Sequence, residues 1–241
     1  MHVKLENPSV LSRVIDIISE LVMEVRIKVN DLGMSITAMD PANVALVHFA
    51  LPKNSFSVFE TDEEVLGVNL DSLKKILKRC GSNSSLVLEK KDNNLNIQIL
   101  DKIKRNFNLA LIEIESEEKT MPDLEFSSLV ELNSGDLISS IEDCLVVADA
   151  CSFMIKNGRF ILEAKGLNSA SSEFSGDEAK IAAEDCKSRY SLEYLQKFIK
   201  ASKLTEKTTL KFANDHPLSF TVRNDFMEIT FLLAPRVETE D

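Results

Sequence analysis

The side chains best placed to do chemistry in this sequence are lysines spaced three apart. Lys75 and Lys78 lie in the run Leu70-Asp-Ser-Leu-Lys-Lys-Ile-Leu-Lys-Arg79. Lys197 and Lys200 lie in Leu192-Glu-Tyr-Leu-Gln-Lys-Phe-Ile-Lys-Ala201. On a helix that spacing puts two side chains on one face, about 60° apart. A repeated helix with a repeated basic face suggests one surface built twice for one job. Lysines on an exposed helix face are ordinarily there for solvation, and repetition of the pattern is what argues for more. Nothing else is poised for reaction. Cys80, Cys144, Cys151 and Cys186 form no C-x-x-C pair and are read as reduced, and His2, His48 and His216 are scattered. There is no Ser/His/Asp order, glycine-rich phosphate loop or zinc pattern, so nothing demands an enzyme, a cofactor or a metal. An enzyme using surface carboxylates with a metal lacks any His/Asp/Glu cluster at ligand spacing.

The elements that must carry these lysines are two amphipathic helices. Leu70, Leu73, Ile76, Leu77 and Cys80 recur at helical spacing, as do Leu192, Leu195, Phe198, Ile199 and Ser202. The second helix follows the first by 122 residues without a gap. Composition bounds the rest. With 241 residues and 44% hydrophobic content, the chain suits one large domain or two half-size ones. Seven glycines and six prolines argue against long disordered segments. No apolar run reaches membrane-spanning length and the N-terminus shows no signal-peptide pattern, so a soluble, intracellular protein without a membrane partner is expected. The net charge is −11, so any nucleic-acid contact must be local, on a face where cations gather against the overall sign.

In chain order, a short strand at 3–6 precedes a helix with Val10, Val14, Ile17, Ile18 and Leu21 on its stripe, capped by Ser9. Alternating strands follow at 25–29 and 34–38 around Asn30-Asp-Leu-Gly33, then at 44–51 and 65–68. A hairpin spans 86–100 and one more strand runs 105–114. The charged stretch Glu115-Ser-Glu-Glu-Lys-Thr120 breaks every period and is the best linker. The same order then returns: a strand at 130–132, a helix opened by Ser134-Gly-Asp136, a hairpin around Asn157-Gly158, a polar strand at 169–175, the second basic helix, and strands at 208–212, 218–222 and 227–233. Offsets between corresponding apolar triplets stay at 122 or 123 residues. A constant offset with small indels predicts two copies of one α+β domain, helices on one face of antiparallel sheet, with open strand edges that invite pairing with another subunit.

Four motifs carry a resemblance that covers essentially the whole chain. They are Asp31-Leu-Gly-Met-Ser-Ile-Thr-Ala-Met-Asp-Pro-Ala-Asn-Val-Ala-Leu-Val47, Gly67-Val-Asn-Leu-Asp-Ser-Leu-Lys-Lys-Ile-Leu-Lys78, Met121-Pro122 and Leu232-Leu-Ala-Pro-Arg-Val-Glu238. With these the chain resembles DNA sliding clamps of the proliferating-cell-nuclear-antigen type, especially the archaeal form. The resemblance implies the DNA-clamp fold: an N-terminal clamp domain over 1–114, an interdomain connector over 115–128 and a C-terminal clamp domain over 129–241. It implies a trimer of identical subunits, closed head-to-tail around double-stranded DNA, with sheets outside and two helices per domain lining the hole. It implies no catalysis and no cofactor, but a processivity factor that tethers DNA polymerase, DNA ligase and flap endonuclease and is opened by a clamp loader.

The resemblance assigns residues too. Arg13, Lys75, Lys78, Arg79, Lys197, Lys200 and Lys203 would face DNA. Met39, Val44, Leu46, Met121, Pro122, Phe126, Pro217, Leu232, Leu233, Ala234 and Pro235 would wall a groove for short partner peptides. Arg105–Glu113, through Phe107, Leu109 and Leu111, would pair with Ser169–Ser175 of the next subunit, through Ser171, Glu173 and Phe174. The chain departs from the family on the first helix of the second half, where Ser139, Ser140, Glu142 and Asp143 stand in place of basic residues. Glu193 and the polar edge depart likewise. These departures keep a second reading open, a subunit of a mixed ring of the heterotrimeric or checkpoint kind. Localisation follows the host: cytoplasm in an archaeon, as Asp40-Pro41 and the short acidic tail favour, or nucleus in a eukaryote.

Overall fold

The computed structural model of the protein describes residues 1–237; Glu238, which closes the last motif above, and the rest of the acidic tail lie outside them. The chain divides into two compact units. The first holds Met1–Pro41, Val47–Met121 and Asp225–Glu228; the second holds Ala42–Leu46, Pro122–Asn224 and Ile229 onward.

The first repeat runs β1 (His2–Leu5), α1 (Ser9–Ile18), β2 (Glu24–Asn30), β3 (Gly33–Met39), β4 (Ala45–Pro52), β5 (Val58–Glu60), β6 (Glu64–Asn69), α2 (Leu70–Leu77), β7 (Ser85–Lys91), β8 (Asn94–Leu100) and β9 (Lys104–Ala110), with a 3-10 turn at Lys53–Ser55. The second runs β10 (Ser128–Asn133), α3 (Ser134–Val147), β11 (Ala150–Lys156), β12 (Arg159–Lys165), β13 (Ser169–Phe174), β14 (Ala179–Ala183), β15 (Cys186–Ser191), α4 (Leu192–Ser202), β16 (Lys207–Phe212), β17 (Leu218–Asn224) and β18 (Met227–Leu233). The orders correspond element by element. The sheets do too: β5-β1-β7-β8-β9 matches β14-β10-β16-β17-β18, and β4-β3-β2-β6 matches β13-β12-β11-β15. Every register resolved between these strands is antiparallel.

The helices form where a capped amphipathic stripe docks on sheet. The Asn69 side chain accepts the Ser72 amide at 3.0 Å and starts α2, with Asp71 in the first turn favoured by the helix dipole. Asn133 does the same for α3, accepting the amides of Gly135 and Asp136. The expected Ser9 cap is not what is found. Ser9 is the first residue of α1, and the Asn7 carboxamide accepts its amide at 3.0 Å. Leu11 and Ile15 are buried beside Val14, Ile17 and Ile18, giving α1 a wider buried face than the stripe read from sequence.

The two cores differ in composition. In the first unit aliphatic side chains dominate, among them Val3, Val14, Ile18, Leu86, Ile97 and Ile99. In the second, aromatic rings do: Phe198 stacks on Phe231 at 4.3 Å between centroids, and Phe153 meets Phe160, Tyr190 and Phe212 edge-on. The hairpin between β11 and β12 turns through Asn157 at φ 52° and Gly158 at φ 73°. Two consecutive left-handed residues make the tight turn for which Asn-Gly is suited.

Two expectations change. The strand read over 105–114 stops at Ala110. The chain then crosses to β6, where the Ile112 amide donates to the Gly67 carbonyl at 2.9 Å. Gly67 is required there, because a Cβ on it would lie 2.0 Å from the Ile112 carbonyl oxygen. The edge strand β14, Ala-Lys-Ile-Ala-Ala, is additional. Its alanines and mixed exposure leave no period-two signal, yet it pairs with β10 along its whole length.

Candidate nucleic-acid and partner surfaces

Of the candidate phosphate-facing cations, Arg13, Lys75, Lys197 and Lys200 sit on helices, and Lys78, Arg79 and Lys203 lie just past the C-termini of α2 and α4. In the first unit, α1 packs against α2. Arg13 is exposed on α1, and Lys75, Lys78 and Arg79 are exposed on α2 and the turn that follows it. Arg13, Lys75 and Arg79 form no ion pair among the described residues. Lys78 does: its Nζ lies 3.1 Å from Asp16 Oδ1 on α1. Lys74, half-buried, reaches the same oxygen at 2.8 Å and also donates to Ser19 Oγ at 3.0 Å. The hydrogen bond from Lys74, with a smaller one from Lys78, holds the Asp16 carboxyl below its usual range. That same bond raises the Lys74 ammonium above its own. Asp16 therefore staples α1 to α2 and draws off part of the local positive charge.

In the second unit, α3 packs against α4. Lys200 and Lys203 are exposed, while Lys197 is half-buried, 3.5 Å from Glu193 and 5.1 Å above the Tyr194 ring. Helix α3 contributes Asp136, Glu142 and Asp143 and no cation. Ser139 is exposed, but Ser140, expected on the same surface, is buried against the core. The α1–α2 pair is thus net basic and the α3–α4 pair is not.

The candidate strand edges are edges. β9 ends its five-stranded sheet and β13 ends its four-stranded one. On β9, Leu109 is buried and Phe107 half-buried, while Leu111 lies just past the strand, its amide bonded to the Asn93 carbonyl. On β13, Ser171 and Glu173 are exposed and Phe174 is buried. Glu173 pairs with Arg159 of β12.

The candidate groove residues fall in both units. In the first, Met39 on β3 and Met121 are half-buried. In the second, Pro122 is exposed, and Phe126 sets its ring edge-on to His216 at 5.4 Å, next to half-buried Pro217. The Ala234 amide donates to the Val44 carbonyl at 2.9 Å, and Val44, Ala234 and Pro235 are half-buried. Leu46, Leu232 and Leu233 are 5%, 8% and 0% exposed, so in the single chain their side chains belong to the core.

Sequence reading missed the groups that hold these parts still. Arg26 donates to the carbonyls of Ile114 and Ser116, and Lys28 pairs with Glu118, laying the start of the charged stretch along β2 in the first unit. An alternating strand gives no sign of which exposed cation meets a distant carbonyl. The four cysteines are free thiols, and Cys144, Cys151 and Cys186 are buried. Cys80 is pushed up by burial. Cys151 is pushed well up by its hydrogen bond with Cys144 and by burial, so its thiol stays protonated. Among the described residues no three His, Cys, Asp or Glu side chains converge as metal ligands, and no helix is long and apolar enough to cross a membrane.

A duplicated α+β chain with paired helices, one basic helical face and open strand edges defines a class of protein built by repetition. Comparison with known proteins says which. The proliferating cell nuclear antigen N-terminal domain matches residues 1–119 and the C-terminal domain of the same antigen matches residues 120–236. The DNA polymerase sliding clamp of Pyrococcus horikoshii is 35% identical over 97% of both chains, and that of Thermococcus fumicolans is 37% identical over 91% of this chain and 92% of its own. The proliferating cell nuclear antigen structure from Entamoeba histolytica superposes with a TM-score of 0.91 over 98% of both chains at 23% identity, which speaks to the fold. The chain belongs to the proliferating cell nuclear antigen family, whose members are sliding clamps. They are processivity factors and not enzymes.

Proposed function

We propose that three copies of this chain close head-to-tail into a ring around duplex DNA and serve replication as a processivity factor. The observation that carries the reading is the pair of unpaired edges, β9 and β13, on a chain whose exposed helical cations lie elsewhere. An open edge is a template for a strand from another chain, and two different edges on one chain make a head-to-tail contact that closes if the rotation suits. Inside such a ring, Arg13, Lys75, Lys78, Arg79, Lys197, Lys200 and Lys203 face the phosphates. Topology retains the ring on DNA, so a few cations suffice and a net charge of −11 is no obstacle.

The segment 115–128 serves as the connector between clamp domains. Met39, Val44, Met121, Pro122, Phe126, Pro217, Ala234 and Pro235 receive short peptides from DNA polymerase, DNA ligase, flap endonuclease and the clamp loader. Methionines suit a pocket that adapts to several partners. The archaeal relatives favour a cytoplasmic protein on chromosomal DNA. The polar sequence of β13 and the acidic α3 support a second reading, a subunit of a mixed ring. Light scattering over a dilution series tests both. A constant mass near three times 27.0 kDa supports the homotrimer. A monomer at every concentration overturns it in favour of missing sister subunits.

A further inference from the structure

The second unit holds a polar cavity of about 380 Å³ that the groove reading does not use. Its walls come from three places. Lys187, Ser188 and Arg189 lie on β15, Asn214 and Asp215 on the loop before β17, and Arg236 follows β18. Hydrogen bonds from backbone amides fix all three together. The Lys187 amide donates to Asn214 Oδ1 at 2.8 Å, the Asp215 amide to the Lys187 carbonyl at 3.1 Å, and the Arg236 amide to the Arg189 carbonyl at 2.7 Å. Ser188 Oγ and Tyr190 OH both donate to the His216 carbonyl, at 3.1 and 2.7 Å.

Three cations thus line one cavity, with Asp215 in its lining and Asp149 beside Arg236, so positive charge is in excess there in a chain of net charge −11. Arg236 also pairs with Asp149 at 2.8 Å, and both partners are largely solvated, so that pair is weak and exchangeable. The cavity is continuous along the chain with the groove: Pro235 precedes Arg236, and Pro217 is two residues after Asp215.

We infer that this cavity reads acidic residues flanking the apolar anchors of a partner peptide, and so favours acid-flanked peptides over neutral or basic ones. The inference rests on the groove reading above. A compact cluster of three cations with fixed backbone suits one or two carboxylates. Arg236 supplies fork-shaped donors and Lys187 a mobile one, while Arg189 adds to the local positive charge. Opposite charge at the rim of an interface chiefly selects partners and raises encounter rate.

The experiment is calorimetric titration of the full chain with three synthetic peptides. They share one apolar anchor segment and differ in its flanks: three acidic residues, three serines or three lysines. The acid-flanked peptide is expected to bind about tenfold more tightly than the serine peptide at low salt, with the advantage fading as salt rises. The double variant Lys187→Ala, Arg236→Ala should erase the advantage and leave serine-peptide affinity unchanged. Equal affinity for all three, or preference for the lysine peptide, overturns the inference while the groove stands. Failure of every peptide to bind overturns the groove reading and this inference with it.

Discussion

Replacing Asp16 with asparagine should make the protein bind duplex DNA more tightly and at little cost in stability. Asp16 holds two ammonium groups, Lys74 at 2.8 Å and Lys78 at 3.1 Å, on the helices that carry the densest exposed positive charge. Asparagine keeps the shape and can still accept from Lys74, but it releases the charge. The side chains of Asp16 and Lys78 are 40% and 56% exposed, so each ion pair contributes at the low end of the ordinary range, and the stability loss should stay below about 1 kcal/mol. What the pairs lose, phosphates gain. One or two additional phosphate contacts per subunit should steepen the plot of log affinity against log salt by about 0.9 for each. At low salt that should amount to roughly a two- to tenfold tighter complex with linear duplex. Fluorescence anisotropy at four or five salt concentrations reads both quantities, and Lys78→Ala should shift the slope the opposite way. An Asp16→Asn protein with wild-type affinity and slope would refute the reasoning, and would mean that the α1–α2 face does not meet phosphate. The same pair gives a pH signature. The Asp16 carboxyl sits below its ordinary 3.8, so its stabilisation is present above that pH and is lost as pH falls through the lower folded value. Lys74 sits above its ordinary 10.5, so its share is complete below that pH and is lost only in stronger alkali. Between those limits the staple should be insensitive to pH.

Other consequences follow from the local geometry. Gly67→Ala places a Cβ 2.0 Å from the Ile112 carbonyl oxygen and should cost about 2 kcal/mol or more, seen as a lower urea midpoint; an unchanged midpoint would show that the strand crossing is soft. Asn69→Ala removes the cap of α2 and should cost about 1 kcal/mol, whereas Ser191→Ala before α4 should cost much less, because Ser191 makes no capping bond. Equal losses at the two sites would remove the capping account.

Much of the fold is legible in local pattern because local pattern is what makes it. The α2 and α4 stripes, the Asn157-Gly158 turn and the constant repeat offset each rest on neighbouring residues. The features that escaped are those set by distant partners or by weak periodicity. Nothing around Asp16 announces that it will meet Lys74 and Lys78, since that depends on how α1 docks on α2. Ser140 looks exposed by composition and is buried because its helix face turns inward. β14 is held by its neighbour β10 and not by its own alanine-rich sequence. The cavity lined by Lys187, Arg189 and Arg236 unites residues nearly fifty positions apart, so no window of sequence displays it.

The unequal furnishing of the two cores has a spectroscopic consequence. The chain has no tryptophan and two tyrosines, Tyr190 and Tyr194, and both lie in the second unit. Intrinsic ultraviolet emission therefore watches one half alone, while far-ultraviolet dichroism sums over both. Tyr190 is the more informative emitter, being fully buried with its hydroxyl donating to a carbonyl. If the halves melt apart, the two signals will separate along the temperature axis. If they melt as one, the curves will superimpose, and the duplicated architecture will behave as a single cooperative body without any label having been attached.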